Sequence, residues 1–104
     1  MSVMLLRQKV RDDVVDEAEA AVRELFATLE RLHPEGIRYA STRVQDSSTF
    51  VILTELAEGA EDPRPAIPEF GRFLERLKDF VEGPPAIEHL DVVGSYELFE
   101  GAAR

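Results

Sequence analysis

The sequence predicts an α+β fold in which two helices cover one face of a four-stranded antiparallel sheet. Three observations lead to this fold class. Residues 37–56 form a β-rich hairpin, an amphipathic segment with helical spacing lies on each side of it, and a β-rich run lies near each end of the chain. A chain of 104 residues is the size of one domain, and we expect residues 1–104 to form a single one.

The first third of the chain predicts a strand followed by a helix. Residues 3–11 alternate as a strand does, with positions 4, 6, 8 and 10 on one face. Asp12 and Asp13 offer an N-cap, and apolar residues at 14, 18, 21, 22, 25, 29 and 32 form one helical face. We expect this helix to end near Leu32, because Pro34 disfavours helical geometry at the residue before it.

The hairpin predicts strands two and three. Residues 45–48 form a polar turn whose Asp and Ser side chains can bond their own backbone. Residues 50–53 are apolar on both faces, which indicates a strand buried from both sides.

The second half of the chain predicts a loop, a helix and a last strand. Residues 57–67 are rich in proline and acids, and such a loop is either a lid or binding segment or only a connector; we expect the acids at 61 and 62 to be solvated. Pro68 suits the first position of helix two, whose buried stripe has residues 70, 73, 74, 77, 80 and 81. Residues 87–99 predict strand four, with Gly94 marking a bulge or bend, and residues 100–104 a short tail.

The order β-α-β-β-α-β is that of the ferredoxin-like fold, which places strands one and three at the centre of the sheet. Two helices cover only one face of such a sheet. If Phe50 and Ile52 face the helices, Val51 and Leu53 form part of an apolar patch on the other face. A monomer rarely leaves such a patch exposed to solvent. We therefore expect a homodimer packed sheet to sheet.

Composition excludes several function classes. The formal net charge of −9 disfavours nucleic acid and anionic membrane surfaces, and an acidic surface of this kind usually serves solubility. The absence of cysteine and of an export signal favours a cytoplasmic location. The two histidines lack metal-site spacing, and we expect neither a metal nor a cofactor.

Several segments resemble a known family. These are residues 7–10 (RQKV) in strand one, residues 34–39 (PEGIRY) before strand two, Phe50-Val51 in strand three and residues 70–85 around helix two. In these segments the chain resembles the dimeric α/β-barrel proteins, and among them the antibiotic-biosynthesis-monooxygenase-like group. Residues 93–96 resemble the same segment in a subgroup whose activity is unknown. The resemblance implies a homodimeric barrel with a small cavity in each subunit between sheet and helices. Some members oxidise aromatic polyketide-type substrates with O₂ and no cofactor, and others degrade haem.

Haem degradation is disfavoured by the residues present. Haem-degrading members use an asparagine on strand one, a tryptophan after strand three and a histidine on helix two. In this sequence the asparagine position looks like Leu6, and the tryptophan position looks like Leu56 or Ala57. Helix two has no histidine.

Four residues are candidates for a site. His89 shares a strand face with Asp91 and could be a general base, or it is simply a half-exposed edge residue. Gln8, Tyr39 and Phe50 are candidate ligand-binding residues, although Tyr39 could merely pack and Gln8 could bond a nearby backbone group. His33, at the end of helix one, suits a structural role as a cation at the helix dipole.

Two functions follow. The first is a cofactor-independent, monooxygenase-like enzyme that acts on a small aromatic molecule, with His89 as base. The second is a non-enzymatic small-ligand-binding or assembly module of the same fold. A roomy cavity with convergent polar groups favours the first, and a filled core favours the second.

Overall fold

A computed structural model describes residues 2–98 of the chain. Four strands and two helices follow the predicted order β-α-β-β-α-β, with a short 3₁₀ turn before each helix. The elements are β1 (Ser2–Lys9), α1 (Val15–Leu32), β2 (Ile37–Arg43), β3 (Thr49–Leu56), α2 (Pro68–Leu77) and β4 (Ala86–Leu90).

The four strands form one antiparallel sheet in the order β2-β3-β1-β4, which confirms the predicted ferredoxin-like arrangement with β1 and β3 at the centre. The register pairs Gln8 with Phe50 and Tyr39 with Thr54, so these four side chains project from the same face of the sheet. Both helices lie on that face. The fold therefore gathers polar and aromatic side chains of three strands beneath the helices.

The hairpin turn forms as its residues predict. The Ser47 hydroxyl donates to the Val44 carbonyl over 2.8 Å and accepts from the Thr49 N–H over 3.1 Å. Asp46 has a φ of 58°, a left-handed conformation that aspartate tolerates better than most residues. The turn thereby fixes the register of β2 on β3.

Helix α1 starts differently from the prediction and ends as predicted. Asp12 and Asp13 lie in a 3₁₀ turn, and no side chain caps α1, so the predicted N-cap is wrong. Asp13 instead accepts from Arg11 Nε over 3.4 Å. At the other end His33 takes a left-handed φ of 47° and donates its N–H to the Leu29 carbonyl, a C-cap geometry that ends the helix at Leu32.

Helix α2 and strand β4 are shorter than predicted. The helix stops at Leu77, and residues 80–82 pair with residues 9–11 at the end of β1: Arg11 N–H donates to Phe80 O over 2.9 Å and Glu82 N–H to Lys9 O over 2.8 Å. Strand β4 ends at Leu90, which pairs with Val3 near the start of β1. Gly94 thus lies beyond the strand and marks no bulge, and Phe99 and the tail lie outside the described residues.

The core is small and lies at one end of the sheet. Val10, Ala18 and Phe50 are buried against each other, with Phe80 packed alongside. No residue of α2 is fully buried; the predicted stripe is half-buried at residues 70, 73 and 77, and Leu74 is 43% exposed. These residues line a cavity between α2 and the sheet.

Candidate functional site

A cavity of about 130 Å³ lies between the sheet and the two helices. Its wall is mostly aliphatic and aromatic, and its polar side chains come from the three neighbouring strands and from the loop before α2. The described lining residues are Met4, Leu6, Gln8, Val10, Ala18, Val22, Leu25, Phe26, Tyr39, Ser41, Phe50, Ile52, Thr54, Arg64, Phe70, Phe73, Leu74 and Leu77.

Arg64 reaches this cavity from the proline-rich loop at residues 57–67. Arg64 begins a 3₁₀ turn and lies between Pro63 and Pro65, and only 14% of its side chain is exposed. Asp62 holds the guanidinium with both carboxylate oxygens: Nε lies 3.0 Å from Oδ1, and the Nη2 nitrogen lies 2.8 Å from Oδ2. A bidentate ion pair of this kind fixes the plane of the guanidinium as well as its position.

The same aspartate also shapes the loop backbone. Asp62 Oδ1 accepts the Arg64 N–H over 3.0 Å, which closes a small turn around Pro63. Because the Arg64 side chain donates to it, the pKa of Asp62 is lowered, and the carboxylate is ionised at neutral pH. The predicted solvated role for this pair of acids is therefore wrong for Asp62.

Arg64 lies against aromatic side chains on the cavity wall. The guanidinium carbon is 5.3 Å from the centre of the Tyr39 ring and 5.7 Å from that of Phe70, within the range of cation–π contact. Tyr39 also stacks on Phe26, with ring centres 5.2 Å apart. These contacts hold one polar corner within an apolar cavity.

Tyr39 keeps its proton in this corner. Burial raises the pKa of the Tyr39 hydroxyl, and the neighbouring charge of Arg64 opposes that rise without cancelling it. A third polar group is Thr54, whose hydroxyl accepts from the Arg64 Nη1 nitrogen over 3.4 Å. The corner thus presents hydroxyl and guanidinium donors to whatever the cavity holds.

The structure brings three of the four candidate residues to the cavity. Gln8, Tyr39 and Phe50 line it. The Gln8 amide nitrogen donates to the Lys9 and Gly83 carbonyls, over 2.8 and 3.2 Å, which is the backbone-bonding alternative considered for this residue. His89 does not line the cavity; it is exposed on the edge strand β4, where the register pairs it with Met4. Asp91 lies just past the end of β4.

Arg64 was not among the site residues predicted from the sequence. A signal was present in the chain: Asp62 and Arg64 stand two residues apart, each next to a proline that restricts the backbone. A carboxylate and a guanidinium at that spacing in a rigid loop can form a local pair that fixes the arginine. Nothing local indicates that the arginine then points into a cavity, since that depends on how the loop docks on β2 and β3.

The described residues contain no group of three or more side chains suited to a metal ion. Between residues 2 and 98, neither helix combines the length and the apolar character that crossing a membrane requires.

Comparison with known proteins gives a likeness in three-dimensional structure alone. No protein-family model matches the chain, and no curated protein matches it. The crystal structure of an antibiotic biosynthesis monooxygenase is similar with a TM-score of 0.71 and 19% identity, over 90% of this chain and 100% of that chain. A candidate antibiotic biosynthesis monooxygenase from Caulobacter crescentus has a TM-score of 0.74 and 22% identity, over 89% and 90% of the two chains.

A conserved protein from Methanosarcina mazei is similar as well, with a TM-score of 0.70 and 18% identity over 86% of this chain and 91% of that one. At these identities the likeness concerns the fold. The chain therefore has the fold of the antibiotic biosynthesis monooxygenase-like proteins, which confirms the resemblance found in its sequence.

Proposed function

We propose that this protein binds a small aromatic molecule, a single ring with a hydrogen-bond-accepting oxygen, in the cavity between its sheet and helices. The observation that carries the proposal is the guanidinium of Arg64 in the wall of an otherwise apolar cavity. The volume of about 130 Å³ is close to the roughly 150 Å³ of an apolar cavity that holds benzene. An apolar pocket with a few convergent polar groups is the usual form of a small-molecule site.

The two ends of the cavity suggest an orientation for the ligand. The ring would lie among apolar side chains such as Phe50, Ile52 and Phe73. Its oxygen would accept hydrogen bonds from Arg64 and from the protonated Tyr39 hydroxyl. Among the described lining residues, Tyr39 and Arg64 are the ionisable ones, and both hold their protons at neutral pH. Binding, which needs donors, is therefore better supported than a reaction that needs a base.

Cofactor-independent oxygenation is the second candidate, supported by the position of Arg64, where it could stabilise an enolate formed from the ligand. In such a reaction a ring CH₂ becomes C=O; one atom of O₂ enters the product, and the other leaves as water with the two hydrogens. His89 is the residue we propose as base, because its register partner Met4 lines the cavity. This candidate predicts that His89→Ala abolishes turnover of an aromatic ketone that forms an enolate readily; unchanged turnover removes His89 from the mechanism.

A homodimer formed through the outer face of the sheet completes the proposal. Alternation places Leu5, Val51 and Leu53 on the face opposite the helices, where they are half-buried neighbours. Glu55 lies on that face with both carboxylate oxygens buried and without a hydrogen bond from the described residues, 3.6 Å from Arg38 Nε. A second copy packed on this face would cover the apolar patch, which favours sheet-to-sheet association.

Sedimentation of the variant Leu53→Glu tests the dimer. We expect the unaltered protein to sediment as a dimer at micromolar concentration and Leu53→Glu as a monomer, because the variant places a charge in the apolar patch. Val44→Glu, at an exposed position of the hairpin turn, is the matched control and should remain dimeric. A monomeric unaltered protein contradicts the association.

Titration with acetophenone, followed by ¹H–¹⁵N NMR, tests the cavity. We expect saturable shifts at residues of the cavity wall. Arg64→Met keeps an apolar stem and removes the donors, so it should weaken binding about 10- to 100-fold, as for loss of a charged hydrogen bond. Arg72→Met is the control: Arg72 is 69% exposed, pairs with Glu69 at 3.8 Å and does not line the cavity. The absence of saturable shifts, or equal affinity in Arg64→Met, refutes the proposal.

A further inference from the structure

The charge of Arg64 is already matched inside the protein. Asp62 accepts from Nε and from the Nη2 nitrogen at 2.8–3.2 Å, so carboxylate and guanidinium form a closed bidentate pair. The lowered pKa of Asp62 keeps the carboxylate ionised at neutral pH. No other described residue on the cavity wall carries a formal charge. Around the cavity the pair therefore has a net charge of zero.

Neutralisation does not use all the donors of Arg64. A guanidinium has five N–H groups; Asp62 engages two of them, and Thr54 accepts a third over a long 3.4 Å. The Tyr39 hydroxyl accepts from Arg64 as well, which leaves one N–H group for a ligand. Arg64 thus acts toward a ligand as an oriented donor more than as a free positive charge.

This arrangement discriminates between two kinds of ligand oxygen. A ketone or quinone carbonyl accepts hydrogen bonds and brings no charge into the apolar cavity. A carboxylate brings a negative charge that no unmatched cation balances, and burying such a charge is unfavourable. The net charge of −9 on the protein as a whole adds a further, weaker repulsion of anions.

We infer that the cavity selects a neutral aromatic carbonyl compound over the corresponding aromatic carboxylate, and that the pairing of Asp62 with Arg64 sets this preference. The inference rests on the proposed function, because it concerns the ligand of the same cavity. It assigns a specificity-determining role to Asp62, a residue that does not itself line the cavity.

Competition between acetophenone and benzoate at pH 7 tests the inference. The two molecules are similar in size, and benzoate is ionised at that pH. We expect acetophenone to bind the unaltered protein at least about tenfold more tightly. In Asp62→Asn the guanidinium loses its counter-charge, so the affinity for benzoate should rise and the ratio should fall by about tenfold or more. Glu61→Gln removes one negative charge from the neighbouring exposed position and should leave the ratio unchanged.

Each outcome bears on a separate statement. Equal or tighter binding of benzoate to the unaltered protein overturns the inference without the need for a variant. If folded Asp62→Asn keeps the same preference for acetophenone, the role of Asp62 is overturned. If the affinity ratio falls equally in Glu61→Gln and in Asp62→Asn, any nearby negative charge has this effect, and the specific role of the Asp62–Arg64 pair is overturned. If neither molecule binds, the proposed function itself fails, and the inference fails with it.

Discussion

Replacing Gly36 by alanine tests how the start of β2 positions the loop that carries Arg64. Gly36 has a φ of +82°, and a Cβ placed on it would lie 2.8 Å from the Cβ of Ala60. Its carbonyl also accepts the Ala57 N–H over 2.9 Å, so the backbone around Gly36 directly holds the first residues of the loop. The substitution therefore combines a strained backbone with a steric clash against the loop.

The two costs can be separated with a second glycine. A non-glycine residue in a left-handed conformation costs roughly 1–2 kcal/mol, and overpacking of a well-packed position costs about 1–3 kcal/mol. Gly36→Ala should therefore lower the free energy of unfolding by about 2–5 kcal/mol. Gly59→Ala is the matched control, because Gly59 lies in the loop that carries Arg64, has a similar φ of +77°, and would place an added Cβ more than 4 Å from any atom outside its neighbouring residues.

Urea unfolding followed by circular dichroism measures these losses. We expect Gly59→Ala to lose about 1–2 kcal/mol, which leaves about 1–3 kcal/mol for the clash in Gly36→Ala. Adding Ala60→Gly should recover that second part, as measured by a double-mutant cycle that includes Ala60→Gly alone. Equal losses in the two glycine variants, or no recovery on removing the Ala60 methyl, would refute the steric reasoning.

Three further predictions concern the core and the polar corner. Phe50→Ala should lower the free energy of unfolding by about 3–5 kcal/mol, measured by urea unfolding, because Phe50 is buried in the core cluster; Phe50→Leu, which keeps most of the volume, should lose less. Since Arg64 lowers the pKa of Asp62, the stability from this pair is present above the unfolded-state pKa and is lost as the pH falls below about 4. The difference in unfolding free energy between the unaltered protein and Asp62→Asn should accordingly shrink below that pH, and a pH-independent difference contradicts it. Because burial raises the pKa of Tyr39, the stability that comes from its protonated hydroxyl is lost only as the pH rises above about 10. An alkaline absorbance titration should therefore show one tyrosine that ionises late, and this tyrosine should be missing in Tyr39→Phe.

Local sequence patterns predicted the helices and strands correctly where no residue distant in the sequence changed the outcome. The apolar spacing of residues 18, 21 and 25 predicted the buried face of α1, and all three are buried. The polar turn at residues 45–48 predicted the hairpin. Predictions were wrong where a distant partner decided the outcome: residues 80–82 continue the helical pattern of α2, yet they leave the helix and hydrogen-bond to residues 9 and 11.

The site was less predictable than the fold. Tyr39 and Phe50 could be named as candidates because Tyr39 has a hydroxyl that can donate to a ligand and Phe50 lies on the apolar central strand. Arg64 could not, because its loop has no periodicity and its side chain is placed by contacts with Asp62, Tyr39, Thr54 and Phe70. Three of these four partners lie on other elements of the fold.

The order of strands and helices could be read from the sequence, because apolar periodicity and turn chemistry act between near neighbours in the chain. The central position of β1 and β3 then followed from that order and from the right-handed crossover. Long-range packing leaves the cavity beneath α2, brings Arg64 to its polar corner and keeps His89 at the edge of the sheet. These features depend on packing between residues far apart in the chain, which no local pattern records.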